Sequence, residues 1–439
     1  MKTLYLALIA FVIAALPARA EIKIQEITTP GGIKAWLVEE PAIPFVALEL
    51  RFKGGASLDA PGKRGATNLM MGLLEEGTGD MDARAFARAT DELAASFDYG
   101  AYDDTVSVSA KFLTDTTDDA MALLRGAIVE PSFTQEAIDR VRKQVLSGIA
   151  SDKTDPDAIV GQTFDAMAFG DHPYGSSRDG TEDSIAALTR EDIVAAHKAA
   201  LARDRVYVSA VGDINAEDLA TLLDNLLGDL PATGAPMPET ATYQLNGGVT
   251  VVPFDTPQSV VLFGHPGLER HDDDFLAAYV LNEIFGGGGL ESRLMRELRE
   301  KRGLTYGVYS YLVPKDHAEL FLGRVASAND RVAQAIEVLR EQWAQMAESG
   351  ITQAELDEAK TYLTGAYPLR FDGNGPIANI LVGMQMDGLP TDYVANRNDL
   401  VNALTLDDMN RVAKRLFRPE DLHFVVVGQP EGLQSDATQ

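Results

Sequence analysis

The strongest constraint on the fold of this chain is an internal repeat. A Leu-Thr signal typical of a helix start occurs at residues 188–192 and again, at a spacing of 216, at residues 404–408. Each signal leads through an amphipathic stretch to an apolar run that ends in Val-Gly, at residues 206–212 and 424–428, where the Val-Gly ends repeat at the same spacing. Matched helix-start and strand-end signals at a constant spacing indicate a duplicated domain.

A third matched pair extends the repeat and allows a fold class to be predicted. The helix starts at residues 133–136 and 351–354 repeat at nearly the same spacing, 218. Runs with strand character, interleaved with long helical patterns, are found at residues 35–38, 46–52 and 249–253. We therefore expect an α+β protein of two homologous halves, each a mixed, mostly antiparallel sheet covered by helices. Alternation of apolar with polar or small residues at 45–52 and 106–112 predicts that the helices cover only one sheet face.

The two ends of the first half have their own signatures. Residues 1–20 begin with Met1 and Lys2, continue through an apolar stretch and end in Ala-Arg-Ala, a pattern typical of a secretory signal peptide. The apolar stretch is short for a membrane span, although an uncleaved anchor is the alternative. Residues 231–238 are rich in proline and glycine, which predicts a linker. The predicted organisation is a signal peptide at 1–20, an N-terminal α+β domain at 21–230, a linker at 231–242 and a C-terminal α+β domain at 243–439.

The lack of cysteine and the strongly acidic charge limit the cell compartment and the classes of partner that we expect. The chain contains no cysteine, so core packing alone must stabilise the exported protein, and we expect a periplasmic location with no membrane association after signal cleavage. Removing Lys2 and Arg19 with the signal takes the formal charge from -28 to -30. Such a field repels phosphate backbones, so no nucleic-acid partner is expected. It could attract basic peptides, or it could simply keep an exported surface soluble.

Landmarks over nearly all of the chain after the signal point to one family. His-Pro-Tyr-Gly at 172–175 is followed by Gly-Thr at 180–181. In the second half, four glycines at 286–289 are followed by Ser-Arg-Leu at 292–294 and by the more specific string REKRGLTY at 299–306. The order of these landmarks resembles the pitrilysin/insulinase zinc peptidases. That resemblance implies duplicated α+β halves that enclose a chamber.

The resemblance also shows what the first half lacks. Active relatives carry His-x-x-Glu-His on a helix, where two histidines bind zinc and the glutamate activates water. In the aligned segment 65–78, Asn68 and Gly72 occupy the histidine positions and Met71 that of the base, while Gly148 occupies the position of the remaining glutamate ligand. Glycine and methionine offer zinc no nitrogen or hard donor, so we expect no metal and no cofactor in this chain. The adjacent Glu75 and Glu76 are typical of a solvated helix end.

No other metal or nucleophile motif replaces the lost one. None of the histidines stands three or four residues from another; they are His172, His197, His265, His271, His317 and His423. The chain also has neither a G-x-S-x-G elbow nor a cysteine nucleophile, so the sequence supports no substitute hydrolytic mechanism.

A second functional pair of the family is retained. In active relatives an arginine and a tyrosine from the second half hold the substrate backbone and stabilise the oxyanion, and the resemblance assigns these roles to Arg299 and Tyr306. Helical spacing at 291–302, a helix stop at Gly303 and a strand at 306–313 would bring the two together.

Taken without the family, the arginine pattern has a simpler interpretation. Arginines at steps of three form a face that could pair with Glu297 and Glu300; they are Arg293, Arg296, Arg299 and Arg302. The run Gly286, Gly287, Gly288 and Gly289 is likewise ambiguous, since it predicts either a substrate-contacting loop or a tight turn.

These observations lead to three hypotheses of function. The main one is a division of labour, in which this chain supplies Arg299 and Tyr306 to a heterodimer with a homologous, zinc-bearing subunit that degrades peptides. The second is a non-catalytic protein of the same fold that binds peptides or assists assembly. The third, a self-sufficient peptidase, is the least favoured because all the zinc-site residues are replaced.

Overall fold

The computed structural model describes residues 22–436, so the predicted signal peptide lies outside the described residues. The strands of the first half are β1 (Gln25–Thr28), β2 (Lys34–Glu39), β3 (Phe45–Lys53), β4 (Ser96–Ala101), β5 (Thr105–Leu113) and β6 (Val206–Gly212). Its helices are α1 (Ala66–Met71), α2 (Ala83–Glu92), α3 (Thr117–Val129), α4 (Gln135–Asp152), α5 (Pro156–Phe169), α6 (Glu182–Ala187), α7 (Arg190–Ala200) and α8 (Ala216–Leu227).

The second half repeats the plan. Its strands are β7 (Gly248–Pro253), β8 (Gln258–Pro266), β9 (Val308–Pro314), β10 (Glu319–Ala328) and β11 (His423–Gly428). Its helices are α9 (Phe275–Asn282), α10 (Val332–Ser349), α11 (Gln353–Ala366), α12 (Asn374–Met386), α13 (Tyr393–Ala403) and α14 (Leu406–Leu416). Between α8 and β7 the chain forms neither helix nor strand.

The two sheets have the same strand order. The first runs β1-β2-β6-β3-β5-β4 and the second β7-β11-β8-β10-β9, so the second matches the first without its edge strand β1. In each sheet one pair is parallel, β2 with β6 and β7 with β11, and the other pairs are antiparallel. The predicted fold class, two homologous halves with mixed, mostly antiparallel sheets, is confirmed.

The repeated helix-start signals act as helix caps. Thr189 begins α7 and Thr405 begins α14, and each forms a capping box with the aspartate three residues later. In both boxes the threonine hydroxyl accepts from the aspartate N–H and the carboxylate accepts from the threonine N–H, which satisfies two otherwise unpaired donors. Thr352 forms a capping box at α11, and the Thr134 hydroxyl caps α4. Local sequence therefore determines where these four helices begin.

Each half also lends a helix to the sheet of the other half. In α5, the side chains of Val160 and Phe164 are buried against Val425 and Val427 of the second sheet. Leu381 of α12, which is the counterpart of α5 in the repeat, packs in a cluster with strand residues of the first sheet. The prediction that helices cover only one sheet face is therefore wrong, because the exchanged helix covers part of the second face.

A polar junction joins the halves at the turn between β9 and β10. Lys315 Nζ donates to Asp103 Oδ2 at 2.6 Å and lies 4.2 Å from the centre of the Tyr174 ring. The Tyr174 hydroxyl donates to Asp104 Oδ1 at 2.5 Å and accepts from the His317 N–H at 3.1 Å. Together with the exchanged helices, these contacts fix the two halves relative to each other. No helix within residues 22–436 has the length and apolarity to cross a membrane.

Candidate functional site

The segment that carries Arg299 is a helix with wide turns. The α-helical geometry of α9 passes into a π-helical turn at Glu283–Gly287, and a second π-helical segment spans Met295–Glu300. Leu298 is completely buried, whereas Arg299 and Glu300 face solvent. The continuous helix predicted at 291–302 is therefore shorter and π-helical, although Gly303 ends it as predicted, with φ +61°. π-Helical turns are rare in proteins, and those that occur are often found at functional sites.

Arg299 differs from the other arginines on its helix. Arg293 donates to both carboxylate oxygens of Glu355, at 2.6 and 2.7 Å, and Arg296 lies 3.7 Å from the same carboxylate. Arg302 pairs with Glu297 at 2.5 Å. Within residues 22–436 the Arg299 guanidinium forms neither an ion pair nor a hydrogen bond. The expected pairing with Glu297 therefore holds for Arg302, whereas Arg293 and Arg296 pair with Glu355 instead. Among the described residues Arg299 has no such partner.

The paired arginines affect the acidity of their partner. Burial acts to raise the pKa of Glu355, but hydrogen bonds from Arg293 and from the Thr352 N–H lower it to about 2. Glu355 is also the third residue of the Thr352 capping box, so these contacts tie the arginine helix to the start of α11. The helix that presents Arg299 is thereby held in place by its neighbours.

Tyr306 projects from a loop that is fastened on both sides. Its side chain is 84% exposed, while the preceding Leu304 and Thr305 are buried. The Leu304 carbonyl accepts from the Ser327 hydroxyl at 2.6 Å, and Thr305 Oγ1 lies 2.6 Å from the Ala326 carbonyl, both on β10. The predicted strand start at Tyr306 is wrong, since β9 begins at Val308. A large phenol is therefore held exposed by an anchored backbone rather than by packing of its ring.

The glycine run ends the π-helical turn and continues into a 3₁₀ turn at Gly289–Glu291, and several of its glycines are required by close packing or by backbone conformation. A Cβ on Gly286 would lie 2.7 Å from the backbone nitrogen of Ser310 on β9, so only glycine fits there. The Gly288 N–H donates to the Glu283 carbonyl at 2.8 Å, which closes the π-helical turn. Gly289 has φ +63°, a conformation that favours glycine. These contacts and the positive φ of Gly289 favour a turn over a free loop, and substrate contact by Gly286, Gly287, Gly288 and Gly289 stays a prediction.

The helix to which the resemblance assigns the zinc motif is short, and most of its side chains are buried in the core. Asp59 caps α1, since its carboxylate accepts from the N–H groups of Gly65 and Thr67, each at 2.8 Å. Asn68 is half-buried, while Met71, which the resemblance places at the position of the catalytic base, is 2% exposed and belongs to the main core of the first half. A Cβ on Gly72 would lie 3.2 Å from the Val141 side chain of α4, so little space remains for a histidine there.

The other positions near α1 do not assemble a metal site either. Gly148 is exposed on α4, with open space where a side chain would be. Glu76 is paired with Arg140, so its expected role as a solvated helix end is wrong. Glu75 is largely exposed, but partial desolvation of its carboxyl, together with the nearby Glu76, raises its pKa. No group of three or more candidate metal-ligating side chains occurs within residues 22–436, and a buried methionine and a closed glycine do not fit zinc.

Sequence reasoning missed the structural role of the His-Pro-Tyr-Gly turn. His172 caps this turn, since its Nδ1 accepts from the Tyr174 N–H at 3.1 Å. Its Nε2 lies 3.1 Å from the Glu239 carbonyl, so the ring is held as a neutral donor on that side. Tyr174 then bridges to Asp104 and the second half, as described above. The motif was visible in the sequence, but its partners lie 70 and 143 residues away, which no local pattern reveals.

Comparisons with known proteins identify the same relationship for both halves. Residues 34–182 match the family described as Insulinase (Peptidase family M16), and residues 187–363 match the Peptidase M16 inactive domain. The chain is 26% identical over 392 residues to a Helicobacter pylori protein named Non-peptidase homolog YmxG, covering 89% of this chain and 90% of that protein. It is 27% identical over 395 residues to an uncharacterized zinc protease of Mycobacterium leprae, covering 89% and 88%.

Solved structures agree with the sequence comparisons. A Pseudomonas fluorescens structure described as a peptidase M16 inactive domain superposes with a TM-score of 0.88 at 28% identity, covering 95% of this chain and 100% of that one. A protease structure from Helicobacter pylori gives a TM-score of 0.84 at 19% identity, covering 92% and 99%, and shows the shared fold alone.

Proposed function

Because the chain belongs to peptidase family M16, the insulinase family, and its zinc-site positions are filled by unsuitable residues, we propose that it works as the non-zinc subunit of a two-chain peptidase. In this proposal a homologous partner binds zinc, and this chain supplies Arg299 and Tyr306 to peptide substrates in the periplasm. The chain alone is expected to be inactive.

The observation that carries the proposal is the isolation of Arg299. On a helix whose other three arginines are paired, it alone has no partner within the described residues, and Tyr306, seven residues later, is 84% exposed. Within residues 22–436 neither side chain forms a hydrogen bond or an ion pair that would give it a structural role. Both side chains are hydrogen-bond donors on an anchored backbone. They are therefore free to donate to an acceptor on a bound substrate.

The chemistry that the pair can perform is electrostatic. A guanidinium provides a positive charge and several fixed donors, and a phenol provides one further O–H donor. Both would stabilise a peptide carbonyl oxygen as it gains negative charge. Removal of one such donor typically lowers the rate by about 10²–10³-fold.

The experiment is a reconstitution of this chain with its zinc-bearing partner, followed by measurement of kcat/KM for peptide cleavage. We expect Arg299→Ala and Tyr306→Phe each to lower kcat/KM on the order of 10²–10³-fold without weakening assembly. Arg302→Ala and Tyr309→Phe are the matched controls, since Arg302 is paired with Glu297 and Tyr309 lies on β9, and both should retain activity. An intact pair that cleaves at the original rate without Arg299 would refute the shared site.

A second candidate is a non-catalytic peptide-binding or assembly protein. The name of the Helicobacter pylori relative, which declares it a non-peptidase homologue, favours this alternative. Under it, peptide affinity should persist without any partner, and Arg299→Ala should change binding alone. A self-sufficient peptidase would instead require stoichiometric zinc and chelator-sensitive cleavage by this chain.

A further inference from the structure

The repeat places two open cavities at equivalent positions in the two halves. Each lies between the end of a long helix, α4 or α11, and the exchanged helix that follows it, α5 or α12. Three lining residues of each cavity correspond at a spacing of 218, and the pairs are Ile149 with Tyr367, Asp152 with Arg370 and Gln162 with Ile380. The cavities have volumes of about 270 Å³ in the first half and about 340 Å³ in the second. Because the fold places both cavities at the same position, a difference in their charge must come from the lining residues and not from the fold.

The two cavities carry opposite charge. Charged residues around the first are three acids and one base, namely Asp152, Glu182, Asp183 and Lys153. Around the second they are three bases and one acid, namely Arg270, Arg370, Arg397 and Asp387. The second cavity, here called the arginine pocket, is therefore positive in a chain whose formal charge is -28. Since the fold is the same at both places, the fold does not require this charge.

The most unusual residue of the arginine pocket is Arg397, because its charge is buried. The residue is 5% exposed, and its guanidinium donates to the Leu363 carbonyl at 2.9 Å and to Asn398 Oδ1 at 3.2 Å. It also lies 4.6 Å from the centre of the Tyr367 ring. Within residues 22–436 no carboxylate pairs with it. Burial raises the pKa of Glu283 and Arg397 counteracts this, but the two do not form an ion pair. A buried charge without a counter-ion is costly unless something supplies one.

The rest of the pocket adds donors and apolar walls. Arg370 is exposed and has no hydrogen bond or ion pair among the described residues, while Arg270 donates to Asp387 at 2.8 Å. The hydroxyl groups of Tyr279, Tyr367 and Tyr393 likewise have no hydrogen-bond partner in the described part of the chain. Apolar side chains complete the lining; they are Phe275, Leu276, Ile380 and Met384. Cationic donors beside apolar walls suit a ligand with one anionic end and one apolar end.

We propose that the arginine pocket binds a carboxylate that carries an apolar group of about the size of one amino acid, such as the C-terminal residue of a peptide. Arg370 and Arg397 hold the carboxylate, and the apolar walls receive the side chain. The site lies within this chain and needs neither zinc nor a partner, so it can be tested independently of the proposed peptidase role.

The test is isothermal titration calorimetry of the mature chain with N-acetyl-phenylalanine and with N-acetyl-phenylalanine amide. We expect the acid to bind at least about tenfold more tightly than the amide, because a hydrogen bond to an ionised carboxylate is roughly twice as strong as one to a neutral amide. Arg370→Gln should weaken binding of the acid by a similar factor. Asp152→Asn, the same position in the other half, should leave it unchanged.

Buried Arg397 needs a conservative variant, since a failure of Arg397→Gln to fold would say nothing about binding. Arg397→Lys keeps the charge but loses the planar fork, and it should also weaken binding of the acid. Equal affinity for acid and amide, no binding of the acid, or equal effects of Arg370→Gln and Asp152→Asn would each overturn the proposal. Binding of inorganic phosphate without binding of the acid would overturn it too, because the site would then select a different anion.

Discussion

The two halves share one strand order, yet they differ at the positions to which the resemblance assigns a function: two of those in the first half are packed, whereas two of those in the second half are exposed. In the first half Met71 is buried in the core and a Cβ on Gly72 would lie against Val141, so two positions to which the resemblance assigns zinc chemistry are packing positions in this chain. In the second half Arg299 and Tyr306 remain exposed and take no part in packing or ion pairs among the described residues. The comparison shows that, in a duplicated fold, one set of positions can become part of the core of its half while another set stays exposed and able to bind a ligand.

The comparison also shows that the halves do not form separate structural units. Each sheet is covered partly by a helix of the other half, through α5 and α12. A change in one half should therefore affect the stability of the other. The following predictions test how far the halves are coupled and how far they have diverged, from the largest expected effect to the smallest.

Loss of a buried side chain on an exchanged helix should destabilise both halves together. Phe164→Ala in α5 and Leu381→Ala in α12 remove fully buried side chains, and we expect costs of about 3–5 and about 2–5 kcal/mol. The chain has two tryptophans, Trp36 in the first half and Trp343 in the second, so ¹⁹F NMR of fluorotryptophan-labelled protein during urea unfolding follows each half separately.

Both tryptophan signals should shift to lower urea by the same amount in each variant. Leu369→Ala, at a position 78% exposed, is the control and should change the unfolding free energy by less than about 0.5 kcal/mol. Separate midpoints for Trp36 and Trp343 would mean that the halves unfold independently, contrary to the exchanged-helix architecture.

Histidine at the two degenerate glycine positions should have unequal effects. Gly72→His forces a side chain against Val141 and should cost about 1–3 kcal/mol, whereas Gly148→His enters open space and should cost less than about 0.5 kcal/mol. Urea midpoints of the two variants measure the difference. Equal midpoints would show that the former zinc position has not been filled by packing.

Two carboxyl groups, Asp165 in the first half and Glu355 in the second, should affect the unfolding free energy with opposite dependence on pH. Burial raises the pKa of Asp165 on α5 from 3.8 to about 6, with Lys315 opposing and Asp103 adding to the shift. The folded state therefore favours the protonated form, and the carboxylate destabilises it above about pH 6. Asp165→Asn should raise the unfolding free energy by about 1–2 kcal/mol at pH 8, and this gain should disappear as the pH falls to about 4.

Glu355 supplies the contrast in the second half. Burial acts to raise its pKa, but Arg293 and the Thr352 N–H hold it at about 2, below the ordinary 4.5. Its contribution to stability is present above about pH 4.5 and is lost as the pH falls towards 2, so Glu355→Gln should destabilise the protein at pH 8. Chemical denaturation from pH 2 to pH 8 measures both variants, and the same sign for both at pH 8 would contradict the difference in their surroundings.

The predictable part of the fold rests on local signals. Thr189 and Thr405 with their aspartates determine helix starts through contacts only three residues long, so the repeat could be identified from sequence. The exchange of α5 and α12 could not, because an apolar helix face shows that it will be buried but does not specify which sheet buries it. The π-helical segment before Gly303 was not predicted either, since its side-chain pattern is that of an ordinary helix.

The candidate site was predictable only in part. The sequence alone, through its resemblance to the family, predicts the loss of the zinc ligands and the retention of Arg299 and Tyr306, and the structure adds the burial of Met71 and the exposure of Tyr306. The partners of Arg293, Arg296 and Arg302 were not, because Glu355 lies 62 residues from Arg293 and Glu297 could serve several arginines. The structure was therefore needed to show that Arg299 is the arginine of this helix without a partner among the described residues.

The most direct test of a division of labour is to purify this protein at native abundance from its own cells, identify any chain that co-elutes stoichiometrically, and measure zinc. The account predicts a second chain with an intact His-x-x-Glu-His motif and about one zinc ion per pair, bound by that partner. Elution of this chain alone and without zinc would contradict the account and favour the peptide-binding alternative.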